Sequence, residues 1–156
     1  MATPSSCIYR AVVANVDLRL FQGEIISNLL RLRLDLASLG TSAPVMQKEV
    51  YEYAILLTQN CELDQDFKAR NAKNKPDKLI PNILFCQLST AEQLSGTVGG
   101  SDIWKRVRQN KDERYQFLQK VDVACDTLQQ GLPELAIDFK RYFTIPTEEV
   151  YKRRDQ

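Results

Sequence analysis

The segment Leu29-Leu-Arg-Leu-Arg-Leu-Asp-Leu36 decides how the fold is read, because its apolar and polar side chains alternate strictly from Leu30 onward. A period of two puts every second side chain on the same face, which is typical of a half-buried β-strand. Gly23 lies upstream, where a turn into this strand is expected, and residues 40–44 follow as a Gly- and Pro-containing loop. The segment therefore predicts a strand with one face on the core.

Four other segments predict further strands. Residues 50–58 and 80–88 each contain a short continuous apolar run, which favours a buried strand over a helix. Residues 115–118 and 135–143 carry aromatic and branched side chains in shorter or less regular patterns. None of these strands is followed regularly by a helix, so a doubly wound parallel sheet is not expected.

Three short helices are expected. Ser89 with Glu92 resembles a capping box, and Asp102 is a candidate cap for a second helix. Residues 146–154 have acidic side chains early and basic ones late, which complements a helix dipole. The sequence thus predicts an α+β fold with either a small curved antiparallel sheet or an SH3-like barrel. Its 156 residues suit one domain, 1–156, with flexible ends at 1–7 and 155–156.

The charge balance and the absence of histidine exclude several functions. With 21 basic and 20 acidic residues, the chain has a net charge of +1 and no overall field for nucleic acid or membranes. The chain contains no histidine, which excludes Ser-His-Asp and Cys-His catalysis and histidine metal ligation. A general base would have to be a carboxylate, Lys, Tyr or Cys.

The cysteines and the apolar runs indicate a cytoplasmic protein without a cofactor. Cys7, Cys61, Cys86 and Cys125 are widely spaced, so no zinc-ligand pair is present and four reduced thiols are expected. No apolar run approaches the length of a membrane span, and the first residues do not resemble a signal peptide. No Walker or Rossmann glycine pattern occurs.

The first candidate site is the predicted strand end from Thr58 to Asp66. Polar groups just past a buried strand are held rigidly and can still reach solvent. Its carboxylates could shift one another's pKa or hold a hard cation, or they could simply be solvated in a capped turn. The candidate members are Thr58, Gln59, Asn60, Cys61, Glu62, Asp64 and Asp66.

Two basic segments are candidates for phosphate contacts. One is expected to be a loop with five positive charges and one negative, and the other has the only Trp among its basic residues. The first is more often an ordinary solvated connection. In the second, Ile103, Trp104 and Val107 lie on one helical face, which more often means core packing. The first comprises Lys68, Arg70, Lys73, Lys75 and Lys78, and the second Lys105, Arg106, Arg108, Lys111 and Arg114.

A fourth candidate is the run Asp138-Phe-Lys-Arg-Tyr142 on the last predicted strand. Charged side chains on a strand can form the edge of an active site. They can also form a salt-bridged face of the sheet, which is the more common arrangement.

Several of these residues resemble known families. The segments 54–64, 110–115 and 138–140 resemble a bacterial family whose members carry a strand ending in Ser/Thr-Gln-x-Cys-Asp/Glu-Leu. That resemblance would cover most of residues 20–151 and implies no particular activity. More distantly, Gly23-Glu-Ile25, the strand ending at Thr58 and the strand at 83–88 resemble the PemK/MazF-like toxins. Those proteins are SH3-like barrels that cleave RNA.

Two functional hypotheses follow, with a third attached to the acidic residues. The main one is a non-enzymatic small-barrel binding module of a bacterial defence system or mobile element, contacting nucleic acid or a protein partner. The PemK/MazF-like resemblance implies instead an endoribonuclease using Thr58, Cys61, Glu62, Asp64 and Arg114. The last is a divalent metal site at Glu62, Asp64 and Asp66.

Overall fold

The alternating segment forms a strand as far as Leu34, in an antiparallel hairpin. The expectation that its apolar side chains face the core is wrong for Leu32 and Leu34, which are 47% and 40% exposed. The computed structural model describes residues 19–73, 75–98, 100–126 and 129–154. Strand β1, Ile25–Leu34, pairs with strand β2, Met46–Leu56. Gly23 has a φ of 89°, a conformation that glycine adopts without strain, and its N–H donates to the carbonyl of Leu56 at 2.8 Å. The turn expected at Gly23 is therefore confirmed.

Three strands and four helices complete the described residues. The strands are β3 (Asn82–Thr90), β4 (Tyr115–Leu118) and β5 (Leu135–Pro146). The helices are α1 (Asn60–Ala72), α2 (Ala91–Thr97), α3 (Ser101–Arg108) and α4 (Thr147–Arg154). None of these helices is long and apolar enough to cross a membrane. The ends expected to be flexible, 1–7 and 155–156, lie outside the described residues.

The five described strands form one antiparallel sheet in the order β1-β2-β3-β5-β4. The predicted α+β class with a curved antiparallel sheet is confirmed. The alternative of an SH3-like barrel is wrong, because the edge strands β1 and β4 do not pair and the sheet stays open. Closure needs edge strands that match in length and register. Here β1 has 10 residues and β4 has 4.

The core lies on both faces of the sheet, because successive side chains of a strand point to opposite faces. On one face, Leu56 and Phe85 pack with Leu63 of α1 and Val150 of α4. On the other, Ile55 belongs to a second cluster with buried strand residues of β3 and β5. A third cluster lies under α2 and α3 at the β4 edge.

Helix α1 replaces the expected turn and much of the expected basic loop. It buries Leu63, Asp66 and Ala69, which are spaced three residues apart and so share one face. The middle residue of that face is Asp66. Because this buried residue is polar, the apolar residues alone do not show the helical spacing. A polar residue paired inside the fold is therefore the reason that the sequence did not predict this helix.

Two predicted helix caps are shifted, and one cysteine differs from expectation. Helix α2 is capped by Thr90, whose Oγ1 accepts from the Gln93 N–H at 3.2 Å, so the capping box lies one residue later than Ser89. Asp102 lies within the first turn of α3. Cys61 and Cys86 are free thiols, whereas Cys125 is disulfide-bonded, so the expectation of four reduced thiols is wrong there.

Candidate functional site

The polar residues after β2 join the end of that strand to its neighbours. Thr58 is buried, and its Oγ1 accepts from the Leu84 N–H at 2.8 Å, which ties the chain to β3. Asn60 begins α1, and its Oδ1 accepts from the Gln22 N–H at 2.9 Å. Gln59 is exposed, and its Oε1 lies 3.6 Å from the Cys61 thiol. Thr58 and Asn60 therefore hold the fold together at this strand end.

The three acidic residues of this segment do not converge. Asp66 is fully buried, whereas Glu62 is exposed and Asp64 is half-exposed. Asp64 accepts from Lys68 Nζ at 2.6 Å, and this bond holds the pKa of Asp64 below its usual value. Asp66 accepts from Arg70 Nε at 2.7 Å. Among the residues that the structure describes, no group of three potential ligands could hold a metal ion.

Part of the first basic segment is already paired within the fold. Arg70 bonds to Asp66, and this bond raises the pKa of the guanidinium. The exposed lysines at 73, 75 and 78 remain near the end of α1 and the turn that follows it. A shallow groove of about 480 Å³ is lined by Ala69, Arg70, Lys73, Lys75, Pro76 and Leu79. This groove is therefore an exposed cationic surface on which a phosphate could bind.

A second exposed cationic surface lies on a wide bulge in the middle of β5. Leu88 of β3 pairs with Ile137, but Cys86 pairs with Tyr142. Residues 138–141 of β5 therefore stand opposite the single residue Gln87. The extra residues cannot follow the ladder, so the strand is pushed out of the sheet. As a result, four consecutive residues, 139–142, are exposed.

Asp138 fastens the base of this bulge. It is buried, and it accepts from Arg114 Nε at 2.8 Å, from Arg114 Nη2 at 2.6 Å and from the Lys140 N–H at 3.1 Å. Burial alone would raise the pKa of the carboxyl, but the bonds from Arg114 and Lys140 outweigh it and leave the pKa lowered. The bulge is thus held by a bidentate ion pair at its first residue.

Cys86 fastens the bulge from the opposite strand. Its thiol donates to the Asp138 carbonyl at 3.0 Å and lies 3.6 Å from the Arg141 carbonyl. Burial, with a smaller effect of the Asp138 charge, raises the pKa of this thiol to about 11. The group is therefore a protonated hydrogen-bond donor at neutral pH. Both ends of the bulge are bonded to the sheet.

The bulge presents two aromatic rings beside cationic groups. Phe139 is 44% exposed and Tyr142 is 67% exposed. Lys140 and Arg141 lie between them in sequence and are exposed, and Arg114 reaches the same carboxylate as Arg141. We call Arg114, Phe139, Lys140, Arg141 and Tyr142 the bulge surface.

The structure brings this surface next to part of the second basic segment. The Phe139 N–H donates to the Arg114 carbonyl at 3.1 Å, so the connection between α3 and β4 adjoins the bulge. Lys111 is an exposed residue of that connection. Arg106 and Arg108 are exposed on α3 and lie within 4.0 Å and 3.4 Å of Asp112 and Glu134, respectively.

Trp104 does not belong to this surface. It is half-buried and packs edge-on against Phe117, with ring centroids 6.1 Å apart, in the cluster under α3. Its role as a core residue agrees with the alternative that its apolar helix face allowed. The exposed aromatic groups of the bulge surface are instead Phe139 and Tyr142. The sequence places them three residues apart, a spacing that in a regular strand would put them on opposite faces.

The residues suggested for ribonuclease chemistry are spread over the fold. Thr58 is bonded into β3, Glu62 and Asp64 lie on α1, and Arg114 precedes the edge strand β4 and pairs with Asp138. No hydrogen bond or ion pair seen within the described ranges links Arg114 to the α1 carboxylates. Searches among known proteins returned no match, whether among family models, curated proteins or solved structures.

Proposed function

We propose that this protein is a non-enzymatic module that binds single-stranded nucleic acid through the bulge surface. The observation that carries the proposal is the pair of exposed rings, Phe139 and Tyr142, which flank exposed Lys140 and Arg141 in the sequence of the bulge. Aromatic faces stack on any unpaired base, and neighbouring cations contact the phosphates. Because the base of the bulge is already bonded to the sheet, little ordering is needed when a strand binds.

The charges favour a short, weakly salt-dependent contact. Lys140 and Arg141 can each neutralise a phosphate, whereas Arg114 is held in its ion pair with Asp138. The remaining chain adds no strong field because its net charge is +1. About two phosphate contacts predict that log K falls with log salt with a slope of about −1.4 for a single strand. A duplex hides the base faces within its stack, so it is expected to bind more weakly than a single strand.

Fluorescence anisotropy with labelled 15-nucleotide DNA and RNA tests this proposal. One stacked base contributes about 1–3 kcal/mol, so replacing Phe139 and Tyr142 together with Ala is expected to weaken binding at least about tenfold. The matched control changes Lys73, Lys75 and Lys78 to Glu in the α1 groove and is expected to weaken binding far less. Circular dichroism checks that both variants are folded.

Two results would overturn the proposal. If the wild-type protein binds neither DNA nor RNA single strands at low salt, the bulge surface has another role. If the α1 groove variant loses binding and the Phe139/Tyr142 variant keeps it, the lysine groove is the interface. Gel analysis of the same RNA after incubation separates binding from the endoribonuclease alternative, which requires cleavage products.

A further inference from the structure

The hairpin of β1 and β2 extends beyond the rest of the sheet. Strand β3 pairs with β2 only from Tyr53 to Leu56, so residues 46–52 have β1 as their sole strand neighbour among the described residues. We call residues 29–34 and 46–51 the hairpin arm. A two-stranded ribbon has no core of its own and gains stability by packing one face against something else.

One face of the arm packs against the rest of the molecule. Tyr51 stacks on Phe143 of β5, with ring centroids 4.1 Å apart, and Arg31 lies over the same Phe143 ring. Arg33 donates to Glu49 at 2.6 Å, and Tyr51 donates to the other oxygen of that carboxylate at 2.8 Å. Aromatic, cationic and anionic groups on this face therefore have partners within the chain.

The opposite face of the arm is apolar and exposed. The antiparallel register places Leu30 opposite Val50, Leu32 opposite Lys48 and Leu34 opposite Met46. Leu32, Leu34, Met46 and Val50 are 47%, 40%, 53% and 64% exposed. The adjoining connection adds two exposed leucines, Leu36 and Leu39, which are 74% and 54% exposed.

This apolar area is large for an uncovered surface. Six large side chains, between 40% and 74% exposed, amount to on the order of 600 Å², at the upper end of what a monomer usually shows in one patch. Two such faces laid together would bury on the order of 1,200 Å², which reaches the lower end of specific protein interfaces. The area is therefore sufficient for an association of two like faces.

We propose that the apolar face of the hairpin arm packs against the same face of a second copy of this chain. A two-fold axis makes such a face complementary to itself, and the small net charge of the chain opposes association only weakly. Lys48 is the one charged member of the face. It lies on the free edge of β2, so its ammonium group can reach water past that edge while its stem stays on the apolar surface.

Edge-to-edge pairing of β1 with its copy is disfavoured by charge. In a symmetric pairing centred on Leu32, Arg31 of one chain would stand opposite Arg33 of the other, twice across the seam. Like charges directly opposite one another destabilise a strand pair. Glu49 already bonds to Arg33 within each chain and offers no further anion for the seam. The two copies are therefore expected to meet face to face.

Sedimentation velocity from about 1 to 200 μM is the test, with wild type compared with a variant carrying Leu32→Glu and Val50→Glu. Wild type is expected to dimerise with rising concentration. The dissociation constant of the variant dimer is expected to be about a hundredfold higher than that of wild type, because each chain puts two charges into the interface. Ile103→Glu, at an exposed apolar position of α3 outside the arm, is the matched control and should dimerise as wild type does.

Each of the following outcomes would overturn the proposal. A monomeric wild type at 200 μM would show that the two faces do not associate. A dimer that the Leu32/Val50 variant keeps would place the interface elsewhere, and so would loss of the dimer in the Ile103 control. If the double variant is unfolded by circular dichroism, hydrogen exchange of wild type decides instead. Slower exchange in the arm at high concentration supports the dimer, and unchanged exchange refutes it.

Discussion

Replacing Asp66 with Ala is expected to cost far more stability than replacing Asp64, although both lie on α1 and both pair with a residue four positions later. Asp66 is fully buried and accepts from Arg70 Nε at 2.7 Å and from the Ile80 N–H at 2.7 Å. These bonds tie α1 to the segment that enters β3. The Arg70 Nη2 group also donates to the Ile80 carbonyl at 3.2 Å, which closes the ring.

The size of each stability loss follows from the groups that the variant leaves without a partner. Asp66→Ala leaves the Ile80 N–H and a largely buried guanidinium without their acceptor, and breaking a buried pair in this way costs about 3–5 kcal/mol. Asp66→Asn keeps one acceptor oxygen but turns an NH₂ group toward Arg70, so a cost of about 2 kcal/mol is expected. With a urea m-value of about 2 kcal/mol/M, these costs lower the midpoint by roughly 2 M and 1 M.

Urea denaturation followed by far-UV circular dichroism measures the effect. Asp64→Ala is the matched control, because it removes an ion pair of the same helical spacing at an exposed position, where such pairs contribute little. Its midpoint is expected to stay within the error of wild type. Equal midpoints for Asp66→Ala and Asp64→Ala would refute the argument that the buried carboxylate holds α1 on the sheet.

Three further predictions concern single groups. Because the pKa of Asp138 is lowered in the folded state, its ionised carboxyl group stabilises the fold. This contribution is complete at pH values above the unfolded-state pKa of about 3.9 and is lost as the pH falls through the folded-state pKa. Asp138→Asn should therefore weaken the acid dependence of the thermal midpoint, and an unchanged dependence would contradict this. Iodoacetamide at pH 8 should alkylate exposed Cys61 and spare folded Cys86, whose pKa is about 11; mass spectrometry showing equal rates would disprove it. Thr90→Ala should cost about 1 kcal/mol in urea denaturation and Ser89→Ala little, whereas the reverse order would restore Ser89 as the cap.

The strands were predictable because their signal is local. The apolar run at 54–57 and the aromatic pair at 115–117 report burial on a sheet face directly. The alternation at 30–36 indicated a strand but not its buried face, because Leu32 and Leu34 are exposed. The four residues of β4 coincide with the predicted segment 115–118. Strand β5 runs three residues past the predicted end at Phe143, because Ile145 also packs into the core.

Helix α1 and the bulge of β5 were not predictable in the same way. The buried face of α1 includes Asp66, whose burial depends on Arg70 and Ile80 being in place around it. The bulge depends on the register between β3 and β5, and that register is set by contacts between residues more than fifty positions apart, such as Cys86 and Asp138. A local sequence pattern does not identify a partner that is distant in the chain.

The sequence by itself determined the α+β class, the turn at Gly23 and the exclusion of histidine chemistry, because composition and side-chain periodicity act within a few neighbouring residues. Only the tertiary structure decided that the sheet stays open and that the clustered acidic residues separate into ion pairs. It also decided that Phe139 and Tyr142 reach solvent and that one face of the hairpin arm remains uncovered. The physical reason is that pairing, register and desolvation join residues distant in the chain, and each partner's role is defined only when the other is present.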